Sequence, residues 1–391
     1  MSSIPIIGTG AVCAAGNTVE ESFSRIRRGD DGLSPLSLFD SRMKAAPLCA
    51  QITREIPGAQ NNRSPNRTHA LAREAARQAL ASVPDRSGAR TGLVFATTVG
   101  GMVRSEKFYA KLLEDPHSIS EADTELAFHE PTASAGLLCK EFSLCSSFTL
   151  STACSTGLHA IGMAKRLIEN GSCDLCLAVG SDPLCMLTVR GFSSLLLIDP
   201  SGCRPFDKNR AGISLGEGGG AVLLASEAYA AKHSIKPTAF AAGWGASVDA
   251  HHMTAPHPEG SGACMAVRAA LSEAGLAPEN IDMIAAHGTG TPDNDLSEMN
   301  AMQSVFQKLP PFCSMKRSIG HTLAASGILE TIFALCCMDA SIVPCTGGFS
   351  QMDERIGNSP SPEKKKILTH VLKNAFGFGG NNAAMIFSKG K

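Results

Sequence analysis

The second half of this 391-residue chain repeats the first, and the repetition limits the folds open to it more than any other feature. Short apolar β-runs alternate with amphipathic helical runs, the pattern of an α/β protein. Ile4 to Thr9 reads as an opening strand ended by Gly8-Thr-Gly10, and Pro237 to Gly245 resembles it. Leu93 to Thr97, followed by Thr98, is matched by Ile281 to Ala286, followed by His287. Phe148 to Gly162 is matched by Pro311 to Gly327, each a short strand entering a helix through small residues. A pattern returning at this scale points to a duplicated unit. The boundary falls near residues 230 to 237, giving an N-terminal half over 1–232 and a C-terminal half over 233–391.

Local signals fill in the first half. Thr68 to Ala81 reads as a helix, and Gly92 to Thr98 as a buried strand. Phe148 to Thr152 is a strand running straight into Cys154, after which Leu158, Ile161, Leu167 and Ile168 recur at helical spacing. Asn170-Gly171 supplies the stop of that helix. The run Gly216-Glu-Gly-Gly-Gly220 lacks the Lys-Ser/Thr ending of a phosphate loop, so it is expected to be a tight turn before a strand over Ala221 to Ala225.

Composition narrows the function classes. Hydrophobic residues make up 43% and charged residues 18%, enough apolar side chain for a packed core. A net charge of -1 argues against a nucleic-acid binder. The fourteen cysteines are scattered in apolar runs, where cysteine behaves as a small core hydrophobe, and a reducing cytoplasm is the expected setting. The N-terminus has no basic start followed by an apolar segment, and no run reaches the ~18 apolar residues of a membrane span. No membrane contact is therefore expected.

Three residues then stand out, each in its own run of small residues: Cys154, His287 and His321. Cys154 follows a strand and opens a helix, where free N–H groups and the helix dipole favour negative charge; a lowered thiol pKa is expected. His287 follows the C-terminal end of a strand, where open α/β sheets bind ligands. Thr289 and Thr291 follow it and suit hydrogen bonds to an amide-bearing substrate arm. His321 begins a helix with Lys316 five residues before it, and both effects disfavour a protonated imidazole. A neutral imidazole can donate to a developing oxyanion. A thiol, two imidazoles and an ammonium suit carbon–carbon bond formation through a thioester. The segment Asn374-Ala-Phe-Gly-Phe-Gly-Gly-Asn-Asn382 lets backbone approach a ligand closely and lets a loop move. Acidic or cysteine partners at metal-ligand spacing do not accompany His251, His252 and His257, and no metal is expected.

Thr152-Ala-Cys-Ser-Thr-Gly157, His287-Gly-Thr-Gly-Thr-Pro292, Lys316 with Gly320-His321, and Gly377-Phe-Gly-Gly380 together resemble the β-ketoacyl-acyl-carrier-protein synthases of the thiolase-like superfamily. Arg204 to Gly212 also resembles a segment of that family. The likeness covers essentially the whole chain and is closest to the elongating, Cys-His-His type. It implies two βαβαβαββ halves in a five-layered α-β-α-β-α sandwich, an acyl carrier protein as partner, a homodimer, and no cofactor. It implies that Cys154 takes the acyl group, that His287 and His321 bind the malonyl thioester carbonyl, and that the backbone N–H groups of Cys154 and Phe378 form the oxyanion hole. Phe378 would also gate the site. Lys316 and Glu330 would order the histidine side, and Asp295 and Glu298 the His287 loop. Thr254, Thr289 and Thr291 would line the pantetheine tunnel, and Phe192 would contact substrate.

Some positions depart from that pattern. Thr98, followed by Val99, stands where elongating relatives commonly have glycine at the acyl pocket, so short, unsaturated or aromatic acyl groups are expected. His129 falls where relatives often place an aromatic reaching the partner subunit's pocket. Arg63 and Arg67 stand where relatives dock the acidic carrier protein. Two alternatives remain open. A thiolase-type enzyme would need a second cysteine near Gly377, and none stands there. A ketosynthase subunit acting only in a heterodimer with a chain-length-setting partner keeps every residue named above.

Overall fold

The computed structural model describes residues 3–57, 66–118 and 124–390. Its principal sheet contains β1 (Ile4–Cys13), β2 (Thr91–Ala96), β3 (Ser146–Leu150), β4 (Leu175–Asp182) and β5 (Gly218–Ala225) from the first half. The second half supplies β6 (Ala239–Val248), β7 (Met283–Ala285), β8 (Phe312–Cys313), β9 (His370–Gly377) and β10 (Asn381–Ser388). The order across the sheet is β8-β7-β9-β10-β6-β1-β5-β4-β2-β3.

That order contains the repeat. In the first half β2 pairs in parallel with β3 and β4, and β4–β5 and β5–β1 are antiparallel. In the second half β7 pairs in parallel with β8 and β9, and β9–β10 and β10–β6 are antiparallel. Each half is the same 3-2-4-5-1 arrangement, and the two join where Ile4 to Ile6 of β1 pair with Ala239 to Ala241 of β6. All eight residues of β4 are buried, as expected for a strand covered on both faces.

Helices complete the layers: α1 (Arg67–Leu80), α2 (Met102–Glu114), α3 (Pro131–Phe142), α4 (Thr156–Glu169), α5 (Met186–Ser194), α6 (Ser261–Ala274), α7 (Pro292–Val305) and α8 (Ser326–Ala340). The α1 and α3 helices cover the outer face of the first half, and α6 and α7 that of the second. Between the halves lie α4 and α8, in contact with strands of both. The result is the duplicated, five-layered thiolase-like sandwich. Caps fix where the helices begin. The Asn66 side chain accepts from the His69 N–H at 2.7 Å to start α1, and Thr291 caps α7 with Pro292 in its first turn.

Three expectations need correction. The opening strand does not end at Gly8-Thr-Gly10 but continues to Cys13, and Gly218 to Gly220 belong to β5 rather than to a turn. The reason is packing: a Cβ on Gly10 would collide with the Ala75 carbonyl oxygen, and one on Gly219 with that of Leu71. Both oxygens belong to α1, which the glycines admit close to the sheet. Finally, Leu323–Ala340 is long and apolar enough to cross a membrane, with a mean hydropathy of 1.6. It is apolar all round because it is a central helix packed between the two halves, with 83% of that window buried.

Candidate active site

The two halves place equivalent strand-to-helix junctions against each other. Cys154 lies between β3 and α4, two residues before the helix, on a turn in which Ala153 takes a φ of 52°. A residue other than glycine in that region is strained, and such strained turns cluster at functional sites. His321 precedes α8 at the matching junction, and its Nε2 lies 3.0 Å from Cys154 Sγ. The His321 backbone N–H donates to the Ser214 carbonyl oxygen at 2.7 Å, and its carbonyl accepts from the Gly216 N–H at 3.0 Å. Gly377 closes the site from above. A Cβ there would sit 2.9 Å from the Thr152 oxygen and 3.1 Å from the Cys154 nitrogen, too close for a side chain.

Hydrogen bonds set the imidazole tautomers. His321 Nδ1 accepts from the Leu323 backbone N–H at 3.3 Å and meets Ser326 Oγ at 3.0 Å. His287 Nδ1 faces the ammonium of Lys316 at 3.4 Å. In each ring Nδ1 is therefore the acceptor and Nε2 carries the hydrogen. The rings stand edge to face, with centroids 5.4 Å apart. Cys154 Sγ and a nitrogen of each ring lie within 4.8 Å of one another, a spacing that could suit a metal. The chemistry does not: a ligating Nε2 needs a lone pair, which would turn Nδ1–H of His287 against an ammonium.

Electrostatics favour these neutral rings. Burial, and next Lys316, hold both imidazoles well below the ordinary histidine range. The expectation for Cys154 is reversed. Burial pushes its thiol up to about 12, while Lys316 and the Phe378 backbone N–H pull the other way. Desolvation outweighs the helix start because the sulfur is almost inaccessible. The N–H groups of His321 Nε2 and Phe378 nonetheless face the sulfur and stabilise the thiolate when it forms.

Buried carboxylates hold the loops. Glu298, on α7, accepts from the His287 and Gly288 N–H groups at 2.8 Å each. Asp295 accepts from the Phe206 N–H at 2.7 Å and the Gly290 N–H at 3.2 Å, tying the Arg204–Gly212 segment to the His287 loop. Glu330, on α8, receives Lys316 Nζ at 2.5 Å, and the same ammonium donates to the His287 carbonyl oxygen at 2.6 Å.

Two cavities meet at Cys154. The larger, about 290 Å³, is lined by His287, His321, Thr254, Thr289, Thr291 and Phe376 among others. The smaller, about 180 Å³, is mainly apolar and is lined by Thr98, Val99, Met102, Leu187 and Leu323. Phe192 and Phe378 line both. A more open groove of about 1260 Å³ beside Phe23, Phe240 and Leu335 contains none of these side chains and is not the site.

Not every expected residue joins it. Arg67 does not present a free docking cation: it pairs with the fully buried Glu217 at 2.6 Å and donates to the Ile52 carbonyl oxygen. Arg63 lies outside the described residues. His129, expected to reach a partner subunit's pocket, meets Ser105 Oγ with its Nδ1 at 2.7 Å. The Thr98 hydroxyl is turned onto Asp182 Oδ2 at 2.6 Å. Two buried ionisable residues escaped the sequence reading. Asp182, at the end of β4, also accepts from the Thr97 hydroxyl and from the N–H groups of Val99 and Ala324. Lys373, inside β9, pairs with Glu330 Oε2 at 2.6 Å. Each stands as an isolated charge in an apolar strand next to a small-residue loop, the one signal available.

The comparisons agree with this geometry. Residues 1–230 match the family described as Beta-ketoacyl synthase, N-terminal domain, and residues 238–350 match Beta-ketoacyl synthase, C-terminal domain. The chain is 31% identical to the 3-oxoacyl-[acyl-carrier-protein] synthase 2 of Coxiella burnetii, over 99% of this chain and 98% of that one. It superimposes on the ishigamide ketosynthase/chain length factor with a TM-score of 0.94 at 27% identity, covering 100% of this chain and 99% of the other. The ketosynthase ApeO in complex with its chain length factor ApeC, from Xenorhabdus doucetiae, gives 0.85 at 27% identity, covering 99% and 98%.

Proposed function

The chain belongs to the β-ketoacyl synthase family, and from that premise we propose that it is an acyltransferase forming 3-oxoacyl thioesters on an acyl carrier protein. Cys154 attacks an acyl-carrier thioester; its proton leaves with the carrier thiolate, and the acyl group remains on the sulfur. A malonyl-carrier thioester then enters the larger cavity with its pantetheine arm along Thr254, Thr289 and Thr291. Its carbonyl oxygen accepts from the Nε2–H groups of His287 and His321. The bond to the carboxylate breaks, carbon dioxide leaves, and the electron pair passes to the enolate. The enolate carbon attacks the acyl-Cys154 carbonyl, whose oxygen is held by the N–H groups of Cys154 and Phe378. Collapse expels the Cys154 thiolate and leaves the β-ketoacyl carrier.

The observation that carries this reading is the Cys154 Sγ to His321 Nε2 contact of 3.0 Å, in a site where His287 offers a second neutral donor. Incubation with acyl- and malonyl-carrier proteins, with the products read by mass spectrometry, tests it. A β-ketoacyl carrier formed by wild type and not by Cys154→Ala supports the reading; equal product from both overturns it.

The acyl group is short, flat or unsaturated on this account, since Thr98 and Val99 bound a cavity of about 180 Å³. The setting is fatty acid, polyene or polyketide synthesis in the cytoplasm, which suits the unpaired cysteines. We place the division between the halves at 232/233, in the link from the helix Glu227–Lys232 to β6. A specific observation favours a dimer, including one with a chain-length-setting partner. The edge strand β3 exposes Phe148, and Leu187, which lines the acyl cavity, is 56% exposed. A partner laid on that edge would close the cavity's open wall.

A further inference from the structure

Beneath the two histidines lies a lysine that the reaction above does not use. Lys373 is fully buried in β9, in parallel register with Ala285 of β7, two residues before His287. Its ammonium forms an ion pair with Glu330 Oε2 at 2.6 Å and donates to the carbonyl oxygens of Asn374 at 2.5 Å, Ala286 at 3.2 Å and Ala285 at 3.4 Å. Three carbonyl acceptors and a carboxylate around one nitrogen suit an ammonium, with three hydrogens and a positive charge, and not a neutral amine with two hydrogens. Glu330 thus lies between two ammoniums, with Lys316 on its other oxygen at 2.5 Å.

We propose that Lys373 is a positioning residue for the decarboxylative half of the reaction, acting through Glu330 and Lys316 on His287. The inference rests on the proposed condensation. Two consequences follow from the geometry. First, Lys373 fixes the strand end carrying His287 by binding the two preceding carbonyls, and fixes the Glu330 carboxylate that aims Lys316 at the His287 ring. Second, it adds positive charge in a dry region where the enolate oxygen becomes negative. The charged or titratable groups facing the imidazoles are Cys154, Lys316, Lys373, Glu330 and Glu298. Lys373 opposes protonation of both rings; burial lowers its own pKa, and Glu330 pulls it back up. Acylation of Cys154 needs neither the enolate nor the His287 donor that Lys373 supports, so the half-reactions should separate.

The experiment uses the full chain as wild type, Lys373→Met, Lys373→Gln and Lys373→Arg. Acylation of Cys154 is followed by intact mass, and carbon dioxide release from malonyl-carrier protein is followed across pH. The expected result for Met and Gln is acylation within about twofold of wild type, and decarboxylation lowered about tenfold, part of what losing one oxyanion donor costs. Their acid limb moves to higher pH, while Lys373→Arg, which keeps the charge, keeps the wild-type limb. Should Lys373→Met fail to fold, the Gln and Arg pair carries the comparison. Equal loss of both half-reactions, no loss of either, or an unmoved acid limb in Lys373→Gln overturns the proposal. Failure of wild type to acylate Cys154 would instead overturn the condensation reading itself.

Discussion

Phe192 and Phe378 stack with ring centroids 5.5 Å apart at 33°, and both rings line the two cavities that meet at Cys154. The pair stands as a wall between those two cavities, the smaller of which would take the acyl group and the larger the malonyl group in the proposed reaction. Gly379 (φ 76°) follows Phe378 and takes a left-handed turn that glycine adopts without strain. Phe378→Ala removes the wall. The expected outcome is retained acylation of Cys154 with condensation lowered about a hundredfold, the cost of a misplaced reacting group. Single-turnover kinetics of each half-reaction checks it; equal rates in variant and wild type would remove the wall from the account.

The buried histidines fix a pH dependence. Burial holds His287 and His321 well below the usual range, and places His69 and His159 at about 4. A base whose folded pKa is depressed lets the unfolded chain bind protons that the native state cannot. Stability is therefore full above the unfolded value of about 6.5 and declines as pH falls below it, by up to ~1.4 kcal/mol per pH unit for each histidine. Activity does not follow stability: the neutral donors persist, so decarboxylation should hardly change between about pH 8 and pH 6. Denaturant titrations and initial rates over the same pH series separate the two.

Arg67 and Glu217 give a prediction against the docking role that sequence position suggests. Arg67→Ala leaves a fully buried carboxylate without its cation, which should cost about 3 kcal/mol. The dependence of rate on carrier-protein concentration should not change. A large rise in KM for the carrier protein at unchanged stability would return Arg67 to the docking surface.

Thr98 has two sides, and two variants divide them. Thr98→Gly removes the methyl from the cavity of about 180 Å³ and should shift acylation toward longer saturated chains. Thr98→Val keeps the volume but removes the hydroxyl from Asp182, costing about 1–3 kcal/mol with little change in chain preference. Competition among carrier proteins loaded with acyl groups of graded length, with a melting curve for each variant, reads both effects.

Much of this was legible in the sequence because the informative residues are local. The repeated strand, small-residue turn and helix gave the duplicated halves, and the runs around Cys154, His287 and His321 gave the site. What stayed hidden depends on contacts across the fold. Nothing near Cys154 in sequence shows that its junction will be desolvated, and so its thiol moves up. The partner of Arg67 is 150 residues away, at Glu217. Gly8, Gly10 and Gly219 look like turn residues until α1 is laid against them. Lys373 looks like an ordinary lysine until Glu330 arrives from α8.

The central claim is that Cys154 carries an acyl group that His287 and His321 allow malonyl to take away. A two-step intact-mass experiment tests it most directly. The protein is first mixed with a short-chain acyl-carrier protein and then, after removal of excess carrier, with malonyl-carrier protein. The account predicts an acyl adduct on Cys154 in wild type and in His287→Ala, absent from Cys154→Ala. In the second step the adduct is lost and a β-ketoacyl carrier appears with wild type, while His287→Ala keeps its adduct. An adduct that survives malonyl-carrier protein in wild type, or product formation that persists in His287→Ala, would contradict it.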